Sequence, residues 1–490
     1  MRQAVVIMTD TQRTDMLGCY GGPLRTPSLD AFANDAVRFS RAYTTQPVCG
    51  PARSALFTGY YPHSNGSWGN SMALQEHAVT IGQRLDHLGL HTAYIGKWHL
   101  DGFDYFGRGA SPPGWDPHYW YDMRTYLEEL TPEDRVRSRS PATNREGIAA
   151  EFTFAHRVSE RAIEFVRVHA SEDFLLVVSY DEPHDPYLCP EPYASMYRDY
   201  EFPRRVNVWD TLEGKPTHQQ IWAGDARHAD RGAYRITNDD FFGCNSFVDS
   251  EIGRVLGAID EHAPDSMVIY TSDHGDMLGS HCLTGKGPAA YEEIARVPFI
   301  VRSPEAPRGV VSDGLVSHVD VVPTLLAHFD VAVPAMLEGR ALQPQLADPD
   351  HRVNDAVFVE FGRYEIDHDG FGGFQPMRAI VHDRYKLVVN LTSEDELYDL
   401  VGDPDEMVNL IETPDYERLR DDLHARLLDW MNRTRDPFRG YQWERRPWRR
   451  SAVPANWAHT GMTRQREDED LPRQLDYSTG LEMERAVRPK

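Results

Sequence analysis

Met267-Val268-Ile269-Tyr270 runs directly into Thr271-Ser272-Asp273-His274-Gly275. Four apolar residues are too few for a helix of ordinary length, and they end in groups that carry charge and turn the chain. This is the pattern of a strand buried on both faces that delivers polar side chains at its carboxyl end. Three other stretches repeat it. Ala4 to Met8 leads to Thr9-Asp10, and Thr92 to Ile95 leads to Gly96-Lys97-Trp98-His99. Phe174 to Val178 leads to Ser179-Tyr180-Asp181-Glu182-Pro183-His184. Helical patterns over Glu151 to Val168 and Asn245 to Ile259 lie between them. Strand and helix in alternation predict an α/β fold, a large and mostly parallel sheet covered by helices on both faces. Ligands bind such sheets beyond the carboxyl ends of the strands, so these four distant clusters are predicted to share one pocket.

Outward from this sheet the character changes. Residues 186 to 240 are polar, aromatic and proline-containing, a long excursion. After Asp348-Pro349-Asp350 come three closely spaced β-like runs, Ala356 to Glu360, Met377 to Val381 and Tyr385 to Val389, and then a helical pattern from Asp415 to Asn432. They predict a smaller α+β domain with a short antiparallel sheet. The division expected is 1–350 for the catalytic body, 351–435 for the second domain and 436–490 for a tail. That tail holds Trp443, Trp448 and Trp457 among Arg445, Arg446, Arg449 and Arg450. Indoles so grouped are costly to expose, so they are expected to pack on the body or on a second copy in a homo-oligomer.

Composition narrows the function. The 490 residues carry a formal charge of −25, which argues against binding to nucleic acid or anionic lipid. The five cysteines, Cys19, Cys49, Cys189, Cys244 and Cys282, are odd in number, widely spaced and without a CxxC pair, which speaks against a disulfide framework. The apolar run at the N-terminus is too short for a signal peptide, and no stretch approaches a membrane span. The chain as given is expected to be soluble and cytoplasmic.

The strongest local signal is Cys49-Gly50-Pro51-Ala52-Arg53, followed by Ser54-Ala55-Leu56-Phe57-Thr58-Gly59. Pro51 suits the first turn of a helix and Gly59 its end. Cys49 would then sit at a helix N-terminus, where free N–H groups favour an anion, with Arg53 one turn on. By itself the spelling also fits a buried thiol beside a solvated arginine. Asp10 and Asp273, with His274 adjoining, are hard ligands at strand ends that suit Ca²⁺, Mg²⁺ or Mn²⁺. Each alone also fits a turn or a helix cap.

Cys49-x-Pro51-x-Arg53 with Ser54 and Leu56-Phe57-Thr58-Gly59 resembles the signature of type I sulfatases of the alkaline phosphatase superfamily. Asp10-Thr11-Gln12-Arg13, Gly96-Lys97-Trp98-His99, Pro183-His184-x-Pro186, Ser272-Asp273-His274-Gly275 and Lys286 resemble further family elements in the right order. Glu396-Leu397-Tyr398-Asp399-Leu400, then Asp403-Pro404 and Asn409-Leu410, resembles the C-terminal hallmark, so the likeness spans about Ala4 to Leu410. It is nearest to bacterial sulfatases of no assigned substrate, and implies an alkaline phosphatase-like mixed sheet and hydrolysis of a sulfate ester, with sulfated carbohydrates as the class.

The resemblance further implies that Cys49 is oxidised to 3-oxoalanine, or formylglycine, by a formylglycine-generating enzyme. Hydrated, this residue would attack sulfur. Arg53, Lys97 and Lys286 would stabilise the sulfuryl oxygens, His184 would protonate the departing alcohol, and His99 would deprotonate the remaining hydroxyl. One divalent cation would be held by Asp10, Cys49, Asp273 and His274, with Thr11 beside them, Ca²⁺ ranking ahead of Mn²⁺ and Mg²⁺. Two departures bear on the ion and the reaction: Thr11 stands where many sulfatases carry a second aspartate, and His274 where they carry asparagine. Family phosphodiesterases and phosphonate hydrolases share the Asp-His pair, and supply the alternative function. Arg363, His368, Trp68 and Asn70 are the expected substrate-binding residues, with Asp101, Tyr105, Trp115, Trp120 and Tyr364 as further candidates for a sugar site. His281, His318 and Asp320 are expected to be structural.

Overall fold

The structure is a computed structural model that describes residues 2–449 except 103, 104, 230, 231, 233 and 365–372. Seven strands form the main sheet: β1 (Gln3–Thr9), β2 (Val37–Tyr43), β3 (His91–Gly96), β4 (Phe174–Ser179), β5 (Met267–Ser272), β6 (Arg296–Arg302) and β7 (Val310–Ser317). Their order is β3-β4-β1-β5-β6-β2-β7. Only β6 pairs antiparallel with its neighbours, so the sheet is mixed but mostly parallel. Among the described residues, the helices that cover the two sheets include α1 (Cys49–Thr58), α2 (Phe154–Val168), α3 (Asp239–His262), α4 (Val321–His328) and α5 (Glu417–Arg433).

The period-2 alternation of β1 divides the core. Val5 and Ile7 face Val158, Phe165, Phe247 and Ile252 of α2 and α3. Ala4, Val6 and Met8 face Leu56 and Phe57 of α1 and Val322 and Leu325 of α4. Each of the larger of these side chains, Val, Ile, Leu, Phe or Met, taken fully from water, contributes roughly 2 kcal/mol. Two helices begin elsewhere than the apolar pattern suggests. Thr153 accepts from the His156 N–H and starts α2 at Phe154, and Asn238 accepts from Phe241 N–H and starts α3 at Asp239. Capping side chains, rather than the apolar stripe, set these ends. Strands β2, β6 and β7 have no counterpart among the predicted runs. In β2, Arg38, Ser40 and Arg41 interrupt the apolar run because they are only partly buried.

The second sheet has the order β11-β10-β9-β8, formed by β8 (Ala356–Phe361), β9 (Met377–His382), β10 (Tyr385–Asn390) and β11 (Glu396–Asp399), all antiparallel. Helix α5 covers one face, and Ala55, Tyr61 and Val319 of the larger body join the same apolar cluster. Trp443 and Trp448 pack there too. Arg446 is paired with Asp395 at 2.7 Å, and the Trp448 indole donates to the same carboxylate at 2.8 Å. Trp457 and Arg450 lie outside the described residues.

A buried ion cluster ties the segment just after α1 to the second sheet. His63 Nδ1 bonds the Glu360 carboxylate, while Arg378 donates from Nε to Asp436 at 2.6 Å and lies 3.8 Å from Glu360. Burial pulls His63 down, but Glu360 and Asp436 win and raise it to about 9. A histidine raised from 6.5 contributes stability that is complete below pH 6.5 and lost as pH rises through about 9. The difference amounts to about 3 kcal/mol. Calorimetry should therefore show the melting temperature falling between pH 6.5 and 9. His63→Phe should flatten that slope, and an equal slope in the variant would remove His63 from the account.

Candidate active site

The parallel register brings the four polar clusters together. Met8 pairs with Ser179 in β4, Gly96 also pairs with Ser179, and Thr9 pairs with Ser272 in β5. Asp10, Lys97, Asp181 and Asp273 therefore leave the same edge of the sheet within two residues of the strand ends. Gly96 is required here: at φ +128, a β-carbon would sit 1.8 Å from the Ser179 carbonyl oxygen. Thr11 and His99 hold left-handed backbone at φ 68 and 56, a conformation that non-glycine residues adopt mainly where surrounding structure imposes it.

Helix α1 points its N-terminus into this edge, with Cys49 its first residue and Gly59 its left-handed cap. The thiol is 1 % exposed. Cys49 Sγ lies 3.6 Å from Asp10 Oδ1, 3.3 Å from His274 Nε2 and 2.8 Å from Lys286 Nζ. Burial and Asp10 oppose its ionisation, yet Lys286, Lys97 and His274 hold it well below the ordinary thiol value. The potential ligand atoms of Asp10, Cys49, Asp273 and His274 all lie within 4.8 Å of one another. His274 Nδ1 donates to the Gly275 carbonyl at 2.8 Å, which leaves the Nε2 lone pair for the centre. Burial and the charge of Asp10 push Asp273 up to about 6, a repulsion that a cation between the two carboxylates would relieve. The donor set fits a small divalent ion.

Arg53 lies beneath the carboxylates. It donates from Nε to Asp273 and from Nη2 to Asp10, each at 3.0 Å, and from Nη1 to the Lys97 carbonyl at 2.7 Å and Ser179 Oγ at 2.8 Å. A fully buried guanidinium so engaged holds the ligands in place, in contrast to the expected contact with sulfuryl oxygens. Thr11 likewise works through a ligand, its hydroxyl donating to Asp10 Oδ1 at 2.7 Å. Lys97 bridges Asp10 and Asp181, each at 2.8 Å. His99 is pulled down by burial and by Lys97, a neutral imidazole beside Cys49.

At the mouth, His184 is 16 % exposed and its Nδ1 bonds Asp185 Oδ1 at 2.9 Å. Burial, Lys97 and Lys286 pull it down, but Asp10 and Asp185 push it up to about 10, the protonated state at neutral pH. Asp181, not singled out from sequence, anchors both Lys97 and the Tyr105 hydroxyl. Its signal is its place at the end of β4, the same signal that Asp10 and Asp273 carry.

The expected substrate residues separate. Asn70 does not face a ligand with its carbonyl: Oδ1 accepts from Gly50 N–H at 2.8 Å and satisfies the first turn of α1. Trp68 packs edge-on against Phe374 and Phe438, and its carbonyl accepts from Gln46. Trp115 and Trp120 are core residues around Tyr94 and Trp98 rather than sugar platforms. Arg363 and Tyr364 lie beside the N-terminus of α1, where their carbonyls accept from Gln46 and Asn70. His368 lies outside the described residues. His281 pairs with Asp210 at 2.7 Å, and Asp320 accepts from Ser317 N–H and Arg340 N–H. His318 Nε2 is 3.3 Å from Thr271 Oγ1.

The sulfatase family model matches residues 2–331, two thirds of the chain. The chain belongs to the sulfatase family. A second model, the C-terminal part of N-sulphoglucosamine sulphohydrolase, matches residues 279–433 of this sulfatase. The uncharacterized sulfatase YidJ of Escherichia coli K12 is 46 % identical over 97 % of this chain and 96 % of its own length. Two solved structures share the alkaline phosphatase-like fold. One is an enzyme in complex with its substrate D-glucosamine-2-N,6-O-disulfate, with a TM-score of 0.73 at 22 % identity, covering 89 % of this chain and 99 % of the other. The other is the phosphonate monoester hydrolase of Agrobacterium radiobacter, with a TM-score of 0.72 at 23 % identity, covering 89 % and 96 %.

Proposed function

We propose that this sulfatase cleaves the sulfate ester of a sulfated carbohydrate, with Cys49 matured to formylglycine by a formylglycine-generating enzyme and one divalent cation beside it. The observation that carries the reading is Cys49 at the head of α1, among Lys286, His274 and two buried carboxylates. When present, the cation supplies a Lewis acid and the formylglycine hydrate an oxygen nucleophile at position 49.

The chain's own residues do the rest. Asp10, Asp273 and His274 hold the cation, and Arg53 and Thr11 hold Asp10. Lys286 and Lys97 supply the positive charge that sulfuryl oxygens require. His184, protonated and free at Nε2 among the described residues, gives its proton to the departing sugar oxygen. His99, neutral, takes the proton from the side chain at position 49. Two carboxylates favour Ca²⁺, while the imidazole of His274 brings Mn²⁺ into contention ahead of Mg²⁺. Arg363 and Tyr364, beside the N-terminus of α1, shape access from the second sheet.

The acid role has a direct test. His184→Ala should slow a sugar sulfate, whose alkoxide leaves poorly, by about 10²-fold or more, and an aryl sulfate with a good leaving group far less. Equal losses on both would place His184 in binding or folding. A second reading, phosphodiester or phosphonate ester hydrolysis, is favoured by His274 and Thr11. Side-by-side kcat/KM values for aryl sulfate, glucosamine 6-sulfate and an aryl phosphodiester decide between them, and a higher value for the phosphodiester overturns the sulfate reading.

A further inference from the structure

A second group of metal-ligating side chains lies at the other end of the edge strand from the catalytic centre. His91 opens β3, His169 caps the end of α2, and Glu172 follows in the turn before β4. Potential ligand atoms of all three lie within 4.8 Å of one another. Glu172 Oε2 sits between the rings, 2.9 Å from His91 Nε2 and in contact with His169 Nδ1. The ring centroids are 4.1 Å apart.

The positions are held from outside the cluster. The Glu172 N–H donates to the His169 carbonyl at 3.0 Å, and the His91 N–H donates to the Asp173 carbonyl at 3.2 Å. His169 Nε2 meets the Tyr119 hydroxyl at 2.6 Å. In the tautomer where Nε2–H donates to that hydroxyl, the Nδ1 lone pair points at the place Glu172 Oε2 shares with His91. A hydrogen-bond partner that fixes the tautomer is the usual support of a metal-bound histidine. Metal–nitrogen and metal–oxygen bonds of about 2.1 Å in a tetrahedron separate ligand atoms by roughly 3.4 Å. The trio therefore has to open by only a fraction of the length of a bond, and Glu172 is on the surface and able to give way.

We propose that His91, His169 and Glu172 form a surface site for a borderline transition-metal ion, Zn²⁺ foremost, with water as the fourth ligand. Two imidazoles and one carboxylate select Zn²⁺, Ni²⁺ or Cu²⁺ over Ca²⁺ or Mg²⁺, which distinguishes this site from the carboxylate-rich centre. The ion ties the end of α2 and the turn before β4 to the start of the sheet's edge strand. The length of β3, at about 3.3 Å per residue, places it about 20 Å from Lys97, so it acts on stability rather than on turnover.

The test uses the full-length enzyme carrying its own catalytic cation, dialysed against Zn²⁺ and analysed for metal per chain. Wild type should take up one zinc equivalent that His91→Ala and Glu172→Gln do not, while all three turn over aryl sulfate alike. Tyr119→Phe should keep the site but weaken zinc roughly 10-fold or more. Zn²⁺ should raise the melting temperature of the wild type and leave both ligand variants unmoved. Should His91→Ala fail to fold, Glu172→Gln, which keeps its shape on an exposed turn, still decides. The same zinc content and thermal shift in wild type and in Glu172→Gln overturns the proposal, as does a wild type whose only zinc is lost in Asp273→Asn.

Discussion

Replacing Cys49 with alanine should lower turnover of every sulfate ester by about 10⁴-fold or more, the scale expected when a nucleophile is removed from an otherwise intact site. The fold survives. The change deletes one sulfur atom from a cluster whose other members, Asp10, Arg53, Lys97 and Asp273, keep their mutual ion pairs at 2.8 to 3.0 Å. Helix α1 keeps its N-terminal partner, since Asn70 bonds the backbone of Gly50 and not the thiol. A melting temperature near that of the wild type, with turnover at background, is the expected pair of measurements. Intact mass of the Cys49 peptide adds the second half. Conversion of the thiol to an aldehyde lowers it by about 18 Da, and specific activity should scale with the converted fraction across preparations made with and without the maturation enzyme. Wild-type rates in Cys49→Ala would end the mechanism. So would full activity in a preparation whose peptide mass is that of plain cysteine.

Asp273→Asn should remove the proposed divalent cation and about 10³-fold or more of the activity in one step, because so few groups would hold the ion. Asp10 and Asp273 are both fully buried, and a single Arg53 spans them. Chelation of the wild type should have the same effect, with activity returning on addition of Ca²⁺ or Mn²⁺; the better of the two identifies the ion. The cation also leaves a thermodynamic trace. Asp273 without it is raised from 3.8 to about 6, so the folded chelated protein holds a proton that the unfolded chain releases. Its stability is therefore lost as pH rises from about 4 through 6, and the gain in melting temperature on adding metal should grow across that window. Metal analysis of the active enzyme that finds no stoichiometric divalent ion would refute this centre.

Much of the candidate catalytic edge is legible in the sequence because its residues belong to short segments with a local signature. Asp10, Lys97, His184 and Asp273 each follow an uninterrupted apolar run, and a run of that length has to be a buried strand with its polar end at the rim. Cys49 and Arg53 are legible from Pro51 and Gly59, which bracket a helix by backbone chemistry alone. Asn70 and Trp115 depart from expectation for a physical reason. Polar and aromatic residues look alike in sequence whether they meet a ligand, a helix end or a core. Only the packing of Trp115 against Phe57 and Trp98, and the seating of Asn70 on the Gly50 N–H, separate these cases.

The α/β class, the antiparallel second sheet and the sulfatase signature are all written in local patterns. Strand and helix periods, proline and glycine at helix ends, and residue types near them are properties of neighbours along the chain. What Arg53, Thr11 and Asp181 do, and that His91, His169 and Glu172 meet, follows from the folded arrangement instead. Arg53 reads as a residue for the substrate until β1 and β5 place Asp10 and Asp273 against its guanidinium, and His91 and His169 are 78 positions apart until β3 and β4 pair. Charge–charge and metal-ligand interactions act over a few ångströms between segments that the sequence separates, so their partners exist only once the sheet has formed.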